Sequence, residues 1–361
     1  MQTHPRITAL ATAVPPWRYD RASTLDFVHQ HLFGAGWSEQ EASRDEARQL
    51  AHIFEAAKVD TRYMSVDVGK FYATPKTTAD LMRVYPEMAF SLGKEALSAC
   101  LRAAPEASAS SLTDFTLVSC TGYAAPGVDI ALARELGIPP DARRVIVGHM
   151  GCYAAIVGLR QLLATARAYP DAVSALLSVE ICSLHLNANL ERDGRTMLAL
   201  FGDGAAAAIL SRAAWATGPE LVDAYTFADF SAASQMSWKV SDAGFMMGLS
   251  PRVPVTLRRH VQEATERLLT PHGLLPSDIT HWLIHPGGPS ILEAIASRLR
   301  LSDEQLTHSW KVLRERGNCS SATVLMVLEE AMASGATKAG EWGVMMAFGP
   351  GLTLETALVR F

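Results

Sequence analysis

Charged side chains are scarce in this sequence, and no stretch of it concentrates charge of one sign. Lys, Arg, Asp and Glu make up 19% of its 361 residues, and the formal net charge is −5. The absence of a dense Lys and Arg cluster argues against a nucleic-acid surface and against a polybasic membrane anchor. Hydrophobic residues make up 49% of the chain, enough to bury a large core. We therefore expect an ordered globular protein whose partners are small molecules, with no nucleic acid among them.

Cysteines are too few and too scattered for a disulfide framework or a zinc site. They number five and form no CxxC pair, at positions 100, 120, 152, 182 and 319. An odd, scattered set of this kind is typical of a reduced protein in the cytoplasm. The sequence also lacks HExxH, Walker and strand-following GxGxxG motifs. We therefore expect no metal, no flavin and no nicotinamide cofactor.

Long apolar runs are missing as well. No segment reaches about 18 uninterrupted apolar residues, the length that a membrane-spanning helix requires, so we expect no membrane span. The apolar stretch near the N-terminus is interrupted by Pro15 and Pro16. It is too short for the hydrophobic region of a signal peptide, which agrees with a cytoplasmic location.

Hydrophobic periodicity predicts alternating strands and helices, and hence an α/β fold. Helices are predicted over 20–60, 77–103, a segment ending at 136, 152–168, 255–269, 290–299 and 320–332. Strands are predicted over 115–119, 144–147, 174–178, 205–210, 282–285, 343–348 and 352–359.

Two rounds of this alternation resemble each other, which predicts an internal duplication. In each round a short polar turn leads into an apolar helix, once after Cys152 and once after Cys319, and a buried strand follows. The helix after Cys152 is apolar on nearly every face, as expected for a helix between two sheets. A Pro, Gly and Ser stretch at 211–219 is the best boundary. We place an N-terminal half at 1–215 and a C-terminal half at 216–361.

Cys152 occupies the turn between a strand-like and a helix-like apolar segment. A thiol at a helix N-terminus meets unpaired backbone N–H groups and the positive end of the helix dipole, both of which favour the thiolate. The thiolate is the reactive form, so Cys152 is a candidate nucleophile. A buried inert cysteine fits the same position, because free cysteine is among the most buried residue types.

A thiolate nucleophile needs a base and a hydrogen-bond donor, and two residues at the ends of predicted elements can supply them. His285 ends a predicted strand and precedes a Pro-Gly-Gly-Pro loop. Asn318 follows Gly317 and precedes a predicted helix. Each has a structural alternative, since Asn is an ordinary helix cap and a histidine can be a buried core residue.

Five segments together resemble the type III polyketide synthases of the chalcone synthase type. They read GCYAA at 151–155, FGDGA at 201–205, HPGGPSIL at 285–292, GNCSSA at 317–322 and FGPGLTLET at 348–356. The resemblance extends over nearly the whole chain. It implies a thiolase-like αβαβα sandwich of five layers made from two duplicated halves, assembled as a homodimer.

The resemblance also implies a reaction and a catalytic set of Cys152, His285 and Asn318. Cys152 attacks an acyl-CoA starter and holds the acyl group as a thioester. Malonyl-CoA loses CO₂, and His285 and Asn318 donate hydrogen bonds to the developing enolate. Repeated condensation and cyclisation follow. The substrates are then an acyl-CoA starter and malonyl-CoA, without any cofactor.

Further positions are assigned to the substrate by the same resemblance. Phe201 and Phe245 match two aromatic positions at the junction of the CoA tunnel and the cavity, although either alone fits ordinary core packing. The cavity set is completed by Cys182, His185, Met236 and Ser320. Plant chalcone-forming members have small or hydroxylated residues at several of these positions, so we expect an aliphatic starter and a pyrone or resorcinol product. The CoA set is Arg48, Lys58 and Ser290, with a solvated helix face as the alternative for the two cations.

Two other functions fit a thiolase-like chain. An initiating 3-ketoacyl-carrier-protein synthase uses the same three residue types, but its histidine loop usually reads HQAN where this chain reads HPGG. A catalytically silent thiolase-like binding subunit usually lacks the nucleophile, whereas Cys152 is present here.

Overall fold

A computed structural model describes residues 4–33, 44–186 and 194–361. Residues 34–43, which belong to the region predicted as helical at 20–60, lie outside the described residues. The helices are α1 (Arg21–Phe33), α2 (Arg44–Ala56), α3 (Val68–Phe71), α4 (Thr78–Ala103), α5 (Val128–Leu136), α6 (Ala154–Ala168), α7 (Arg195–Leu200), α8 (Val253–Leu269), α9 (Pro289–Leu299), α10 (Thr307–Arg316) and α11 (Thr323–Ala333). The strands are β1 (Arg6–Ala13), β2 (Trp17–Asp20), β3 (Thr61–Met64), β4 (Asp114–Ser119), β5 (Arg143–Gly148), β6 (Val173–Glu180), β7 (Gly204–Ser211), β8 (Glu220–Ala228), β9 (Met236–Ser241), β10 (Gly244–Leu249), β11 (Ile279–Ile284), β12 (Trp342–Gly349) and β13 (Thr353–Arg360).

The large sheet consists of two parts that meet at one point. Its strand order is β11-β12-β13-β8-β1-β7-β6-β4-β5. Strands β8 and β1 pair only through Arg6 and Glu220, so the four strands on one side and the five on the other act as two sheets. Each part contains a parallel pair, β4 with β6 and β11 with β12, followed by two antiparallel neighbours. This shared order supports the duplication that the sequence predicts.

Side chains alternate strictly between two cores along the buried strands. In β7, Ala205, Ala207 and Ile209 join one hydrophobic cluster, while Ala206, Ala208 and Leu210 join another. Because successive residues of a strand point to opposite faces, each sheet has helices on both sides. The three clusters of the described residues therefore separate five layers: α4 and α5, the first sheet, α6 with α11, the second sheet, and α8 with α9. The predicted αβαβα architecture is confirmed.

The central layer explains why α6 and α11 are so apolar. Both helices contact strands of the two sheets. In α11, the six consecutive residues from Thr323 to Leu328 are buried. In α6, eight of the fifteen residues are buried. A helix enclosed on both faces has no solvent-facing stripe, which accounts for the pattern noted after Cys152.

Several elements were not predicted from the sequence. Strands β1 and β8 connect the two sheets, and the hairpin formed by β9 and β10 covers the region beside Cys152. The hairpin sequence does not alternate cleanly between apolar and polar residues, since Phe245, Met246 and Met247 stand side by side. Periodicity alone therefore could not identify it.

Candidate active site

Cys152 lies in the turn between β5 and α6. β5 ends at Gly148 and α6 begins at Ala154, two residues after the cysteine. Gly151 has φ of +81°, and a Cβ at this position would lie 2.7 Å from Cδ of Pro350. Glycine is therefore required both by the left-handed backbone and by the close approach of the 348–351 loop. This turn places Cys152 at the inner end of α6, where the side chain is 8% exposed.

Asn318 is held by backbone hydrogen bonds to the segment that follows α7. Its N–H donates to Leu200 O at 2.8 Å, and its carbonyl accepts from Gly202 N at 3.1 Å. The side-chain Oδ1 accepts from the backbone N–H of Ser320 at 2.8 Å. Because Oδ1 is engaged in this way, the amide is oriented with its NH₂ as the remaining donor group. Asn318 thus caps the turn before α11 and still offers a donor, so the two alternatives from the sequence are compatible.

His285 follows β11 and is anchored by its backbone. Its N–H donates to Met346 O at 2.7 Å, which continues the parallel pairing of β11 with β12. The side chain is 1% exposed, and neither ring nitrogen has a hydrogen-bond partner in the described part of the chain. A buried imidazole with both nitrogens unpaired is costly, and such groups concentrate where a ligand completes the site.

The structure brings the three predicted catalytic residues to one small cavity. Cys152, His285 and Asn318 line a space of about 20 Å³, together with Phe201 and Met236. The Sγ atom of Cys152 lies 4.0 Å from Asn318 Oδ1 and 3.9 Å from the hydroxyl of Ser320. Ser320 has φ of +49°, which is strained for a residue with a side chain. Ser320, a member of the predicted cavity set, thus lies next to Cys152.

Electrostatics at the site differ from the sequence expectation of a thiolate. Burial raises the pKa of Cys152 to about 12, although hydrogen bonding to Ser320 acts in the opposite direction. Burial also lowers the pKa of His285 to about 3. Desolvation opposes the effect of the helix N-terminus and favours the neutral forms of both side chains.

Glu180 connects the two loops that flank Cys152. Its carboxylate accepts from the backbone N–H of Cys120 and the hydroxyl of Thr121, each at 2.9 Å, and from the hydroxyl of Ser321. Burial raises the pKa of Glu180 above its ordinary value. The carboxylate thereby fixes the wall of the cavity beside Cys152.

A second small cavity lies on the other side of Cys152. It has a volume of about 30 Å³, and four of the residues predicted to bind substrate line it: Phe201, Cys182, Met236 and Ser320. Sequence reasoning missed Cys120 and Trp238, which also line it. The sequence could have indicated Trp238, because it is a large aromatic residue two positions after Met236. It was missed because the hairpin that carries it was not predicted.

Two predicted cavity residues lie behind the wall rather than in it. His185 is fully buried, donates from Nε2 to Thr121 O at 2.7 Å, and accepts at Nδ1 from Phe245 N at 3.0 Å. The rings of His185 and Phe245 are stacked with centroids 4.4 Å apart. Neither side chain lines the two small cavities. They support the hairpin whose Met236, Trp238 and Met247 form the cavity surface.

An open groove leads from the surface towards the catalytic residues. It has a volume of about 760 Å³ and lies between the end of α2 and the start of α9. Two predicted CoA residues, Lys58 and Ser290, line it, together with His52. The groove shares Leu249, Gly287 and Ile291 with the cavity at His285, so these residues form the passage inward.

Arg48 is not part of this groove. Its side chain is 75% exposed and lies 4.0 Å from Asp45 on the same helix. Lys58 is paired instead with Glu293 across the groove, with Nζ 3.0 Å from the carboxylate, and lies over the Trp310 ring. The structure therefore separates the two cations that the sequence grouped together.

Family models match both halves of the chain. The model for the N-terminal domain of chalcone and stilbene synthases matches residues 4–213, and that for their C-terminal domain matches residues 224–361. The chain belongs to the chalcone and stilbene synthase family.

Several relatives of this synthase are named. It is 34% identical to 1,3,6,8-tetrahydroxynaphthalene synthase of Streptomyces peucetius subsp. caesius, over 98% of this chain and 93% of the relative. It is 31% identical to 3,5-dihydroxyphenylacetyl-CoA synthase of Streptomyces toyocaensis, over 99% and 90% of the two chains. It is 30% identical to an alpha-pyrone synthesis polyketide synthase-like protein of Mycobacterium tuberculosis, over 98% and 90%.

A crystal structure of a type III polyketide synthase also matches the whole chain. The structure of 1,3,6,8-tetrahydroxynaphthalene synthase from Streptomyces coelicolor A3(2), a bacterial type III polyketide synthase, matches with a TM-score of 0.90 and 25% identity, covering 99% of each chain. The predictions of a type III polyketide synthase and of an acyltransferase-type enzyme are therefore confirmed.

None of the synthase's helices within residues 4–33, 44–186 and 194–361 has the length and apolar character needed to cross a membrane. Within the same ranges, no group of three or more His, Cys, Asp or Glu side chains is arranged as a metal site.

Proposed function

We propose that this synthase extends an acyl group held on Cys152 with units from malonyl-CoA, and that the product cyclises to a pyrone or resorcinol-type compound. The observation that carries the proposal is the shared cavity of Cys152, His285 and Asn318, in which both ring nitrogens of His285 are unpaired. Alpha-pyrone and dihydroxyphenyl products appear in the names of relatives, which supports this product class.

Loading is the first step of the proposed reaction. The Cys152 thiol transfers its proton to His285 and attacks the carbonyl of the starter thioester. The CoA thiolate leaves and takes the proton back from the imidazolium. Burial raises the pKa of Cys152 and lowers that of His285, so both shifts oppose this proton transfer.

Extension is the second step and depends on hydrogen-bond donors. Malonyl-CoA breaks the bond to its carboxylate, releases CO₂ and leaves an enolate of acetyl-CoA. The NH₂ group of Asn318 and a protonated ring nitrogen of His285 donate to the enolate oxygen. The enolate carbon then attacks the acyl carbonyl on Cys152, and the thiolate leaves. A dry cavity strengthens both hydrogen bonds, and each of the three side chains is at most 8% exposed.

The starter is proposed to be a short aliphatic acyl group. The two cavities beside Cys152 have volumes of about 30 and 20 Å³, close to the space of a single water molecule. A longer chain has to displace Met236 and Met247, whose flexible thioethers can move. Product analysis by mass spectrometry with acetyl-, hexanoyl-, dodecanoyl- and coumaroyl-CoA checks this: we expect the shortest starters to be used best, and a preference for coumaroyl-CoA would contradict it.

The groove between α2 and α9 is proposed to bind the CoA portion of both substrates. Lys58 offers a cation there, Ser290 lies at the N-terminus of α9, and the volume suits a large ligand. We expect Lys58→Met to raise KM for malonyl-CoA by roughly 3- to 10-fold, as lost charge pairing in a groove does. Arg48→Met, outside the groove, is the matched control and should change KM less than about 2-fold. Equal effects of the two variants would contradict the assignment of the groove.

The catalytic roles are tested by separating acyl loading from malonyl decarboxylation. Intact mass after incubation with a starter acyl-CoA measures the thioester on Cys152, and acetyl-CoA formation measures decarboxylation. We expect Cys152→Ala to abolish loading and condensation. His285→Gln and Asn318→Ala should reduce decarboxylation by roughly 100-fold or more, as loss of an oxyanion donor does. Loading should fall much less in the Asn318 variant.

Several outcomes would overturn this proposal. Absence of any thioester on the wild-type protein would favour a silent binding subunit. Activity with malonyl-carrier protein alone, and none with malonyl-CoA, would favour an initiating carrier-protein synthase. Equal loss of loading and decarboxylation in Asn318→Ala would contradict the role given to the amide.

A homodimer formed through β5 is proposed as the working form. β5 is the last strand of its sheet, so among the described residues no strand pairs with its outer edge. Its residues Val145 and Ile146 are exposed, as are Met150, Ile130 and Tyr123 nearby. Contiguous exposed apolar side chains beside a free strand edge are typical of an interface.

All five cysteines are free and buried, which suits the proposed cytoplasmic location.

A further inference from the structure

Arg62 in β3 is a fully enclosed cation, with only 1% of its side chain exposed. Within the ranges that the structure describes, no carboxylate lies within ion-pair distance of it. The nearby Asp203 is committed elsewhere, since its oxygens accept from the N–H of Ser65 and from the N–H and hydroxyl of Ser183. A buried arginine without an anionic partner is expensive to maintain, so its hydrogen bonds show what it is there to hold.

The guanidinium group binds the carboxyl end of α7. Nη1 donates to Leu198 O at 2.7 Å and to Phe201 O at 3.3 Å, and Nη2 donates to Ala199 O at 2.6 Å. The last carbonyls of a helix have no partner within the helix and carry partial negative charge, so a cation suits this position. One side chain thereby binds three of the four backbone carbonyls in the segment from Leu198 to Phe201.

The same segment holds Asn318 on its other side. Leu200 O and Gly202 N make the two backbone hydrogen bonds to Asn318, which form a short parallel bridge between Phe201 and Asn318. The residues around this bridge are closely packed. A Cβ on Gly202 would lie 3.2 Å from Cβ of Arg62, and one on Gly317 would lie 2.7 Å from Leu200 O. Gly317 also has φ of +70°.

We infer that Arg62 is a positioning residue for Asn318, acting through the segment 198–202 that lies between them. The inference rests on the proposed function, because it concerns the step that uses the Asn318 amide. Arg62 lines neither the two small cavities nor the groove. Its hydrogen bonds hold the segment that carries Leu200 and Gly202, and these two residues hold Asn318, whose side-chain Oδ1 lies 4.0 Å from Sγ of Cys152. Lysine cannot replace this fork, since one ammonium group cannot bind three carbonyls in the same geometry.

The test compares decarboxylation with loading in Arg62→Met and Arg62→Lys. A displaced donor costs roughly 10- to 100-fold in the step that uses it, so malonyl-CoA decarboxylation per loaded enzyme should fall by this factor in Arg62→Met. Arg62→Lys should fall less. Thioester formation on Cys152, counted by intact mass, should stay within about 3-fold of wild type after correction for folded protein. Arg167→Met, which removes an arginine bonded to Val222 O away from the site, is the matched control and should leave both steps unchanged.

A double-variant cycle distinguishes positioning from general support of the fold. In an Asn318→Ala background, Arg62→Met should cost less than about 2-fold in decarboxylation, because the group that it positions is already absent. A full additional loss in that background, or a parallel loss of loading and decarboxylation in Arg62→Met, would overturn the inference. Failure of the wild-type protein itself to load or decarboxylate would instead overturn the proposed function.

Discussion

Single residues in this synthase are held neutral by burial, and His185 shows the consequence for stability. Burial lowers the pKa of His185 to about 4, against 6.5 for an exposed histidine. Its two ring nitrogens bridge Thr121 O and Phe245 N, an arrangement that needs the uncharged ring. The unfolded chain binds a proton here below pH 6.5, whereas the folded protein does not until about pH 4. Stability from this residue is therefore present above pH 6.5 and is lost as the pH falls towards 4.

Replacing His185 by Gln should remove this acid sensitivity while leaving a donor and an acceptor in place. We expect the free energy of unfolding of His185→Gln to depend less on pH between 6.5 and 4, by up to about 1.4 kcal/mol per pH unit. Urea unfolding at a series of pH values measures the slope. Phe245→Leu, which removes the stacked ring but keeps the histidine, should retain the wild-type slope. A slope unchanged in His185→Gln would contradict the neutral assignment.

At the scale of elements, the hairpin of β9 and β10 sets the space beside the nucleophile. Trp238 in β9 lines the cavity of about 30 Å³ and donates from Nε1 to Cys120 O at 2.8 Å. Met236 and Met247 lie on the two paired strands, Met236 opposite Leu249 and Met247 opposite Trp238. Both methionines line the same cavity. The indole is the largest rigid group in this wall. Under the proposed function, it limits the length of the acyl chain on Cys152.

Trp238→Leu should therefore shift the product distribution towards longer chains. Removing part of an aromatic ring enlarges the cavity, and we expect about one further extension with a short starter, together with better use of a hexanoyl starter. Liquid chromatography with mass detection measures the products. Trp215→Leu, at a tryptophan packed away from the cavities, should keep the wild-type distribution. The same product set in both variants would mean that the hairpin does not limit chain length.

For the whole molecule, the proposed dimer uses the exposed apolar surface around β5. Ile146 is 55% exposed at the centre of this strand. We expect Ile146→Arg to shift the protein from dimer to monomer, because an interface of this kind excludes unpaired charge. Analytical ultracentrifugation measures the mass in solution. Val240→Arg, at a valine that is 72% exposed on β9, should leave the dimer intact. A wild-type monomer would end the proposal.

The sequence predicts much of this molecule, and its failures have physical causes. Helices and buried strands follow from periodicity, Cys152 and His285 are found because they follow predicted strands, and Asn318 because it precedes a predicted helix. The sequence could not show that burial would raise the thiol pKa, because desolvation depends on what surrounds Cys152 in space. It also missed Arg62, since an isolated arginine in a short strand looks like a surface residue. Whether the halves divide at residue 215 stays a prediction.

The proposed catalytic set is divided between two distant parts of the chain. Cys152 precedes His285 and Asn318 by more than a hundred residues. On the ribosome, the proposed nucleophile therefore emerges well before the proposed base and amide donor. An incomplete chain that ends between them carries the thiol without these two partners.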